Sequence, residues 1–294
     1  MVITRIYAGL ANQMFQYAAG RRLAHVLGVE LKLDISSFAY DKLRRYSLGA
    51  FNIQENIASL GEVTALKKVT IPQRLLAKLR HRAPGPGPRH IAEKHFHFDP
   101  EVLTLHDGVY LEGYWQSEKY FADIAGIIRR EFVVKSPQSG KTKELAEMIA
   151  SKESVSLHIR RGDYVADLKE NKIHGVLSLD YYYRCIEKLT RIVRNPYFIV
   201  FSDEPQWAIS NLSLSYPITF VEHDSNELSR DIEDLRLMSQ CKHHIIANSS
   251  FSWWGAWLNP RNAKMVIAPK QWFTKEGLMS MRVDDLLPNS WIVL

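Results

Sequence analysis

The stretch Ser154-Val155-Ser156-Leu157-His158-Ile159-Arg160-Arg161-Gly162-Asp163-Tyr164 runs a β-prone segment straight into a cluster of charge. Residues 154–159 read as a short strand, and the fold depends on what surrounds it. Downstream, 197–202 (YFIVFS) is nearly all apolar, the pattern of a strand buried on both faces. Further strands are read at 218–222, 243–247 and 264–268. Helical patterns fall between them, at 179–193, at 205–212 with Pro205 in the first turn, at 226–241 with Ile232, Leu235 and Met238 three apart, and at 250–258. Five strands alternating with helices predict a parallel, Rossmann-like sheet. Such sheets bind ligands beyond the carboxyl ends of their strands. That rule selects residues 160–164, Asp203 and Glu204, His223 and Asp224, and residues 248–250.

The first half opens in the same way. A strand at 2–7 leads through Gly9 into a helix at 11–27 and a strand at 30–34; a later strand at 109–112 precedes a helix at 117–132. Residues 35–108 carry no regular pattern. A polar stretch at 136–152 joins the halves, so domains are expected at 1–149 and 150–294, and a chain of 294 residues suits two of that size. No repeat at a fixed period is evident.

The composition, 46% hydrophobic and 24% charged, is that of a globular chain with sizeable cores. No apolar run of about 18 residues predicts a spanning helix, and the start lacks the pattern of a secretory signal. The two cysteines, Cys185 and Cys241, sit among apolar neighbours and read as buried reduced thiols, which fits a cytoplasmic location. The net charge of +6 calls for an anionic partner. Between 63 and 92 no acidic residue occurs, while Lys67, Lys68, Arg74, Lys78, Arg80, Arg82 and Arg89 alternate with leucines. Two readings stand for this stretch: an amphipathic segment lying peripherally on the inner face of a membrane, or a solvated helix ended by Pro84-Gly85-Pro86-Gly87-Pro88. A basic module that binds an anionic polymer is the lesser alternative function; no recognisable reader fold accompanies the charge, so nucleic acid is not the expected partner.

Arg160 and Arg161 offer fork-shaped donors that match phosphate oxygens, Gly162 allows a sharp turn, and Asp163 can hold a guanidinium in place. No G-x-x-x-x-G-K-[ST] and no G-x-G-x-x-G occurs, which disfavours a P-loop hydrolase and a dinucleotide dehydrogenase. No Asp-x-Asp occurs either, so arginine is expected to neutralise a bound diphosphate, with no metal and no cofactor. His95 and His97 lack a third ligand and read as packing residues. Trp253, Trp254 and Trp257, at helical spacing, read as core, and His243 and His244 as structural.

Five blocks then resemble one family. Residues 9–18 (GLANQMFQYA), 113–121 (GYWQSEKYF), 158–164 (HIRRGDY), 201–203 (FSD) and 248–254 (NSSFSWW) are similar, in order along the chain, to the α-1,2-fucosyltransferases. One departure is Ala11, where that family usually has glycine. The resemblance implies an α/β fold of GT-B type, with two Rossmann-like domains facing a central cleft. The N-terminal domain would hold the acceptor and the C-terminal domain the GDP-sugar. It implies transfer of L-fucose from GDP-β-L-fucose to the 2-hydroxyl of a terminal β-galactoside, with inversion and without a metal; a different GDP-sugar is the alternative. In this pattern Arg160 contacts the β-phosphate while His158 and Asp163 fix its loop. Asn12, Arg161, Asp203, Asp234, Asn248, Ser249 and Ser250 contact the donor, Asp234 accepting from the guanine ring N–H groups and Ser249 and Ser250 opening a helix that favours phosphate. Glu112 and Trp115 are the acceptor-side candidates, Trp115 as a stacking surface. For the proton acceptor Asp163 leads, followed by His158 and Glu112, because Leu168 stands near where related enzymes carry a glutamate.

Overall fold

The order of strands in two parallel sheets sets where ligands can bind. The computed structural model describes residues 1–67, 89–138, 140–222, 227–278 and 282–294, with backbone alone at 227–229 and 278. His223, Asp224 and most of the basic 63–92 stretch lie outside the described residues. The chain divides into Met1–Glu131 and Phe132–Leu294. The boundary therefore falls ahead of the expected 149/150, for a packing reason. The helix Gly140–Ser151 buries Ile149 in a core with Ile199, Phe201, Leu237 and Met238, which belong to the second unit.

In the first unit, strand β1 (Val2–Arg5) runs through Gly9 into α1 (Leu10–Leu27), followed by β2 (Leu31–Asp34). Helix α1 ends where Gly28 takes a left-handed φ of 62° and returns its N–H to the last carbonyls. Next come α2 (Leu60–Lys67), β3 (His90–Ala92), β4 (Val109–Glu112) and α3 (Ala125–Glu131). The sheet order is β2-β1-β4-β3, all parallel, with Val2 opposite both Leu31 and Val109. The single helix expected at 117–132 is instead two 3₁₀ turns, Glu118–Tyr120 and Ala122–Ile124, before α3. Phe121, at φ −148° and ψ 9°, breaks the helical path between them.

The second unit continues with α4 (Gly140–Ser151), β5 (Glu153–Ile159), α5 (Gly162–Ala166), α6 (Leu168–His174), α7 (Leu179–Thr190) and β6 (Pro196–Ser202). It is completed by α8 (Pro205–Asn211), β7 (Ile218–Phe220), α9 (Glu227–Gln240), β8 (His243–Ile245), α10 (Ser250–Leu258), β9 (Val266–Ala268), α11 (Lys275–Leu278) and β10 (Ile292–Val293). All five expected strands form, and β10 adds a sixth, in the parallel order β10-β9-β8-β5-β6-β7. The alternation of β6 explains its apolar run. Phe198 and Val200 face a core with Tyr181, Cys185 and Leu189 of α7, while Ile199 and Phe201 face Leu237 and Met238 of α9. Cys185 and Cys241 are buried free thiols on opposite faces of the sheet. Among the described residues no helix is long and apolar enough to cross a membrane.

Candidate functional site

In the second sheet the chain steps from β5 to β6 and β7 on one side, then returns to place β8 on the other. Strand order thus reverses between β5 and β8, and the crevice beyond their carboxyl ends is the natural ligand position. Residues 160–164 of HIRRGDY follow the first of these strands directly, and NSSFSWW follows the second.

Arg160 is held there by two carboxylates. Its Nη2 donates to Asp163 Oδ1 at 2.7 Å, and its Nη1 lies 3.2 Å from Asp203 Oδ2. Burial works against the guanidinium charge, yet Asp203 and Asp163 more than offset it and raise its pKa. Asp203 also accepts from the Arg161 backbone N–H at 3.0 Å through Oδ1. Burial pushes the Asp203 pKa up, with Arg160 opposing. Gly162 serves this carboxylate: a Cβ on it would sit 2.6 Å from Asp203 Oδ2. The glycine provides room for an anion, where a sharp turn was the expected reason. The two arginines diverge. Arg161 donates to Glu204 at 3.0 Å and lies 3.7 Å from the Trp207 ring centroid, so its side chain secures the strand end to α8.

His158, one residue inside β5, is 4% exposed and lies 5.8 Å from the Phe251 ring, with its Nδ1 unpartnered among the described residues. Burial, then the nearby Arg160 charge, pushes its pKa down to about 3. It is a neutral ring that supports the loop by packing.

Beyond β8, Asn248 donates its side-chain amide to the carbonyls of His174, Gly175 and Trp272, while the Tyr164 hydroxyl donates to the Asn248 carbonyl. The residue knots three loops together, and among the described residues its buried side-chain Oδ1 lacks a partner. Ser249 is the N-cap of α10, accepting from Phe251 N–H, and the half-buried Ser250 follows in the first turn. Asp234 is buried on α9, 3.9 Å from Arg230, whose guanidinium reaches the Ser202 carbonyl at the end of β6. Tyr164 stacks on His174 at 4.5 Å with parallel rings, and His174 meets Phe273 at 5.1 Å. This aromatic column was not legible in the sequence, since its members are far apart and in no motif but HIRRGDY.

Of the tryptophans read as core, Trp253, Trp254 and Trp257 are all buried. His244 is held between Ser156 and Asn259, and His243 between Glu153 and the Met265 amide, both structural. His95 and His97 stack on each other at 4.9 Å, and among the described residues no group of three His, Cys, Asp or Glu side chains is placed to hold a metal ion.

The first unit has its own reversal, between β1 and β4. Asn12, in the first turn of α1, accepts from Gln116 Nε2 at 2.7 Å. Glu112 is spent: Arg5 donates to one oxygen and His90 Nε2 lies 2.7 Å from the other. Burial would raise its pKa, but these two partners bring it below the ordinary value. Trp115 is not an open stacking surface. It is 1% exposed, packed edge-on against Tyr120 at 5.5 Å. Glu93 was missed altogether because it lies in the region without pattern. Its carboxylate accepts the Tyr114 and Trp115 backbone N–H groups at 2.7 and 3.0 Å.

The model of "Glycosyl transferase family 11" matches residues 89–294. An α-1,2-colitosyltransferase of Escherichia coli is 34% identical over 99% of this chain and 98% of its own length. The O-antigen biosynthesis glycosyltransferase WbnK, also of Escherichia coli, is 32% identical over 97% of this chain and 98% of its own. Among solved structures, the NodZ α-1,6-fucosyltransferase soaked with GDP-fucose, an enzyme of Bradyrhizobium, superposes with a TM-score of 0.53 at 17% identity, over 88% of this chain and 92% of that one. At that identity the likeness is one of fold.

Proposed function

From the chain's membership of glycosyl transferase family 11, and so its activity as a glycosyltransferase, we infer that it transfers L-fucose from GDP-β-L-fucose to the 2-hydroxyl of a terminal β-galactoside with inversion. The observation that carries this reading is Arg160, pinned between Asp163 and Asp203 at the reversal point of the second sheet and followed across the crevice by the N-terminus of α10. Pre-aimed donors of this kind stabilise a diphosphate as its charge grows in the transition state. Arg160 is the β-phosphate contact and the first turn of α10, with Ser249 and Ser250, the second. Asp234 is the guanine acceptor, Asn12 the donor contact from the N-terminal domain, and Asn248 and Arg161 hold the loops. The acceptor belongs to residues 1–131 and the donor to 132–294.

In the transfer, the acceptor oxygen attacks the anomeric carbon from the face opposite the diphosphate, the anomeric C–O bond breaks, and GDP leaves with the electron pair. The acceptor proton is lost late, when the hydroxyl has become strongly acidic. Asp163 remains the proton acceptor of choice. Both oxygens of Glu112 are engaged, by Arg5 and His90, and His158 is buried within β5. Arginine takes the place of a divalent cation, so the reaction runs without metal. The setting is polysaccharide assembly in the cytoplasm, a reading supported by a relative named for O-antigen biosynthesis.

A second reading has a specific observation in its favour, the 34% identity to a colitosyltransferase. Colitose is fucose without the 3-hydroxyl, so both sugars present the same anomeric chemistry to the same clamp. Purified protein supplied with lactose, EDTA and, in parallel, GDP-fucose or GDP-colitose decides the matter. The expected result is fucosyl-lactose formed in EDTA at least tenfold faster than the colitosyl product. Turnover only with GDP-colitose transfers the assignment to the second reading, and strict dependence on Mn²⁺ removes the metal-free mechanism.

A further inference from the structure

At the carboxyl edge of the first sheet, β1 and β4 both end in backbone that side chains rarely adopt: Ala8 at φ 64° and Trp115 at φ 56°. Strain of this kind gathers where a protein presents groups to a ligand. Around it the side chains sort by exposure. Trp115 is buried, while Tyr114 before it is 37% exposed. The Tyr114 ring meets that of Tyr7, from the end of β1, at 5.1 Å and a tilt of 47°, and the Arg5 guanidinium lies 5.0 Å from the Tyr7 centroid. Gln116, two residues on from Tyr114, forms an amide couple with Asn12 in the first turn of α1.

The arrangement is built from behind. Glu93, one residue past β3, spans the successive N–H groups of Tyr114 and Trp115 with its two oxygens. Gly113 has no room for a side chain, since a Cβ would lie 2.4 Å from that of Glu93. Burial pushes the Glu93 pKa up, the two amides opposing. A carboxylate half-buried to hold two amides of one loop sets the direction of the side chains on that loop.

We propose that Tyr114, backed by Tyr7, is the stacking platform for the acceptor pyranoside, and that Glu93 is the positioning residue that sets it. A β-galactoside has one face of C–H groups, left apolar by its axial 4-hydroxyl, and a polar rim. An exposed aromatic ring fits the first, and the Asn12–Gln116 couple and Arg5 fit the second. The choice of galactoside rests on the function proposed above; the platform itself does not depend on the donor.

Saturation-transfer NMR with methyl β-galactoside and lactose tests the platform directly on the full chain. Tyr114→Ala should weaken sugar binding about tenfold, the worth of one aromatic contact, and Tyr114→Phe, which keeps the ring, should restore it to within about twofold. GDP affinity, titrated by calorimetry, should be retained in both variants as the check on folding. Glu93→Gln must turn an N–H toward one of the two backbone amides; it should raise the acceptor KM several-fold while kcat at saturating acceptor is kept, whereas a general loss of structure lowers kcat as well. Unchanged binding by Tyr114→Ala, or no pyranoside bound by the parent protein, overturns the platform. Lactose binding that depends on Tyr114, together with no product from GDP-fucose, supports the platform and removes only the donor assignment.

Discussion

Arg160 is the residue on which most depends, because its charge answers to two anions before any ligand arrives. Replacing it by alanine removes the phosphate contact and also leaves Asp163 and Asp203 without their shared cation. The expected effect of Arg160→Ala is a fall in kcat/KM of about 10²–10³-fold. Arg160→Lys should recover only part of this, since an ammonium cannot span two carboxylates as a fork does. Steady-state kinetics on both variants checks the point, and near-normal turnover by the alanine variant would take HIRRGDY out of the mechanism. Gly162 yields a finer test at the same place. Gly162→Ala puts a methyl 2.6 Å from Asp203 Oδ2, so the carboxylate must move and Arg160 with it. Donor KM should rise several-fold while the fold survives with a loss of about 1–3 kcal/mol, read from the urea midpoint and the donor KM together.

Among the elements, those stitched together by Asn248 are the most exposed to a single change. Its amide feeds carbonyls at the end of α6 and before α11, and its own carbonyl receives Tyr164 of α5. Asn248→Ala strands at least two of these acceptors, at a cost of about 2–3 kcal/mol. The midpoint of thermal unfolding should fall by about 5–10 °C, and an unchanged midpoint would show that water replaces the amide. Legibility follows the same physics of local and distant contacts. Strand β6 was readable because both faces are buried and every residue from Phe198 to Phe201 is apolar. Strands β3 and β10, three and two residues long, carry too little periodicity to announce themselves. The helix expected at 117–132 has the right composition, but the backbone at Phe121 and the Ser117 cap on Lys119 divide it into turns. In the candidate site, Arg160, Asp163 and Asp203 were legible because strand ends can be counted. The burial of Trp115 and the hold of Glu93 were not, because both depend on β3 lying beside β4.

Across the whole molecule, the shared logic of the two sheets is that each reverses its strand order once, and the sequence blocks cluster at those two points. The pH response is less evenly shared, because among the described residues the strongly buried histidines lie in the second unit. His158 is pushed down to about 3 by burial and then by Arg160, and His244 falls well below 6.5 through burial, with Lys264 and His243 adding to it. Both folded-state values lie below the unfolded value. Above about pH 6.5 neither state carries the proton and stability is unaffected. As pH falls below it, the unfolded chain binds protons that the native chain refuses, and stability drops by about 1.4 kcal/mol per pH unit for each histidine. Between pH 6.5 and 5 the two together remove about 4 kcal/mol, above the range where the depressed carboxylates Glu62 and Glu112 start to titrate. Six of the seven tryptophans, all but Trp115, belong to residues 132–294, so tryptophan emission reports this unit. Urea titrations followed by that emission should show the midpoint falling steadily from pH 7 to 5. His244→Gln, which keeps hydrogen-bonding atoms toward Ser156 and Asn259 but does not titrate, should cut the slope by about half. A midpoint independent of pH over this window would mean that both histidines exchange protons freely in the folded state, and the sealed packing around β5 and β8 would have to be reconsidered.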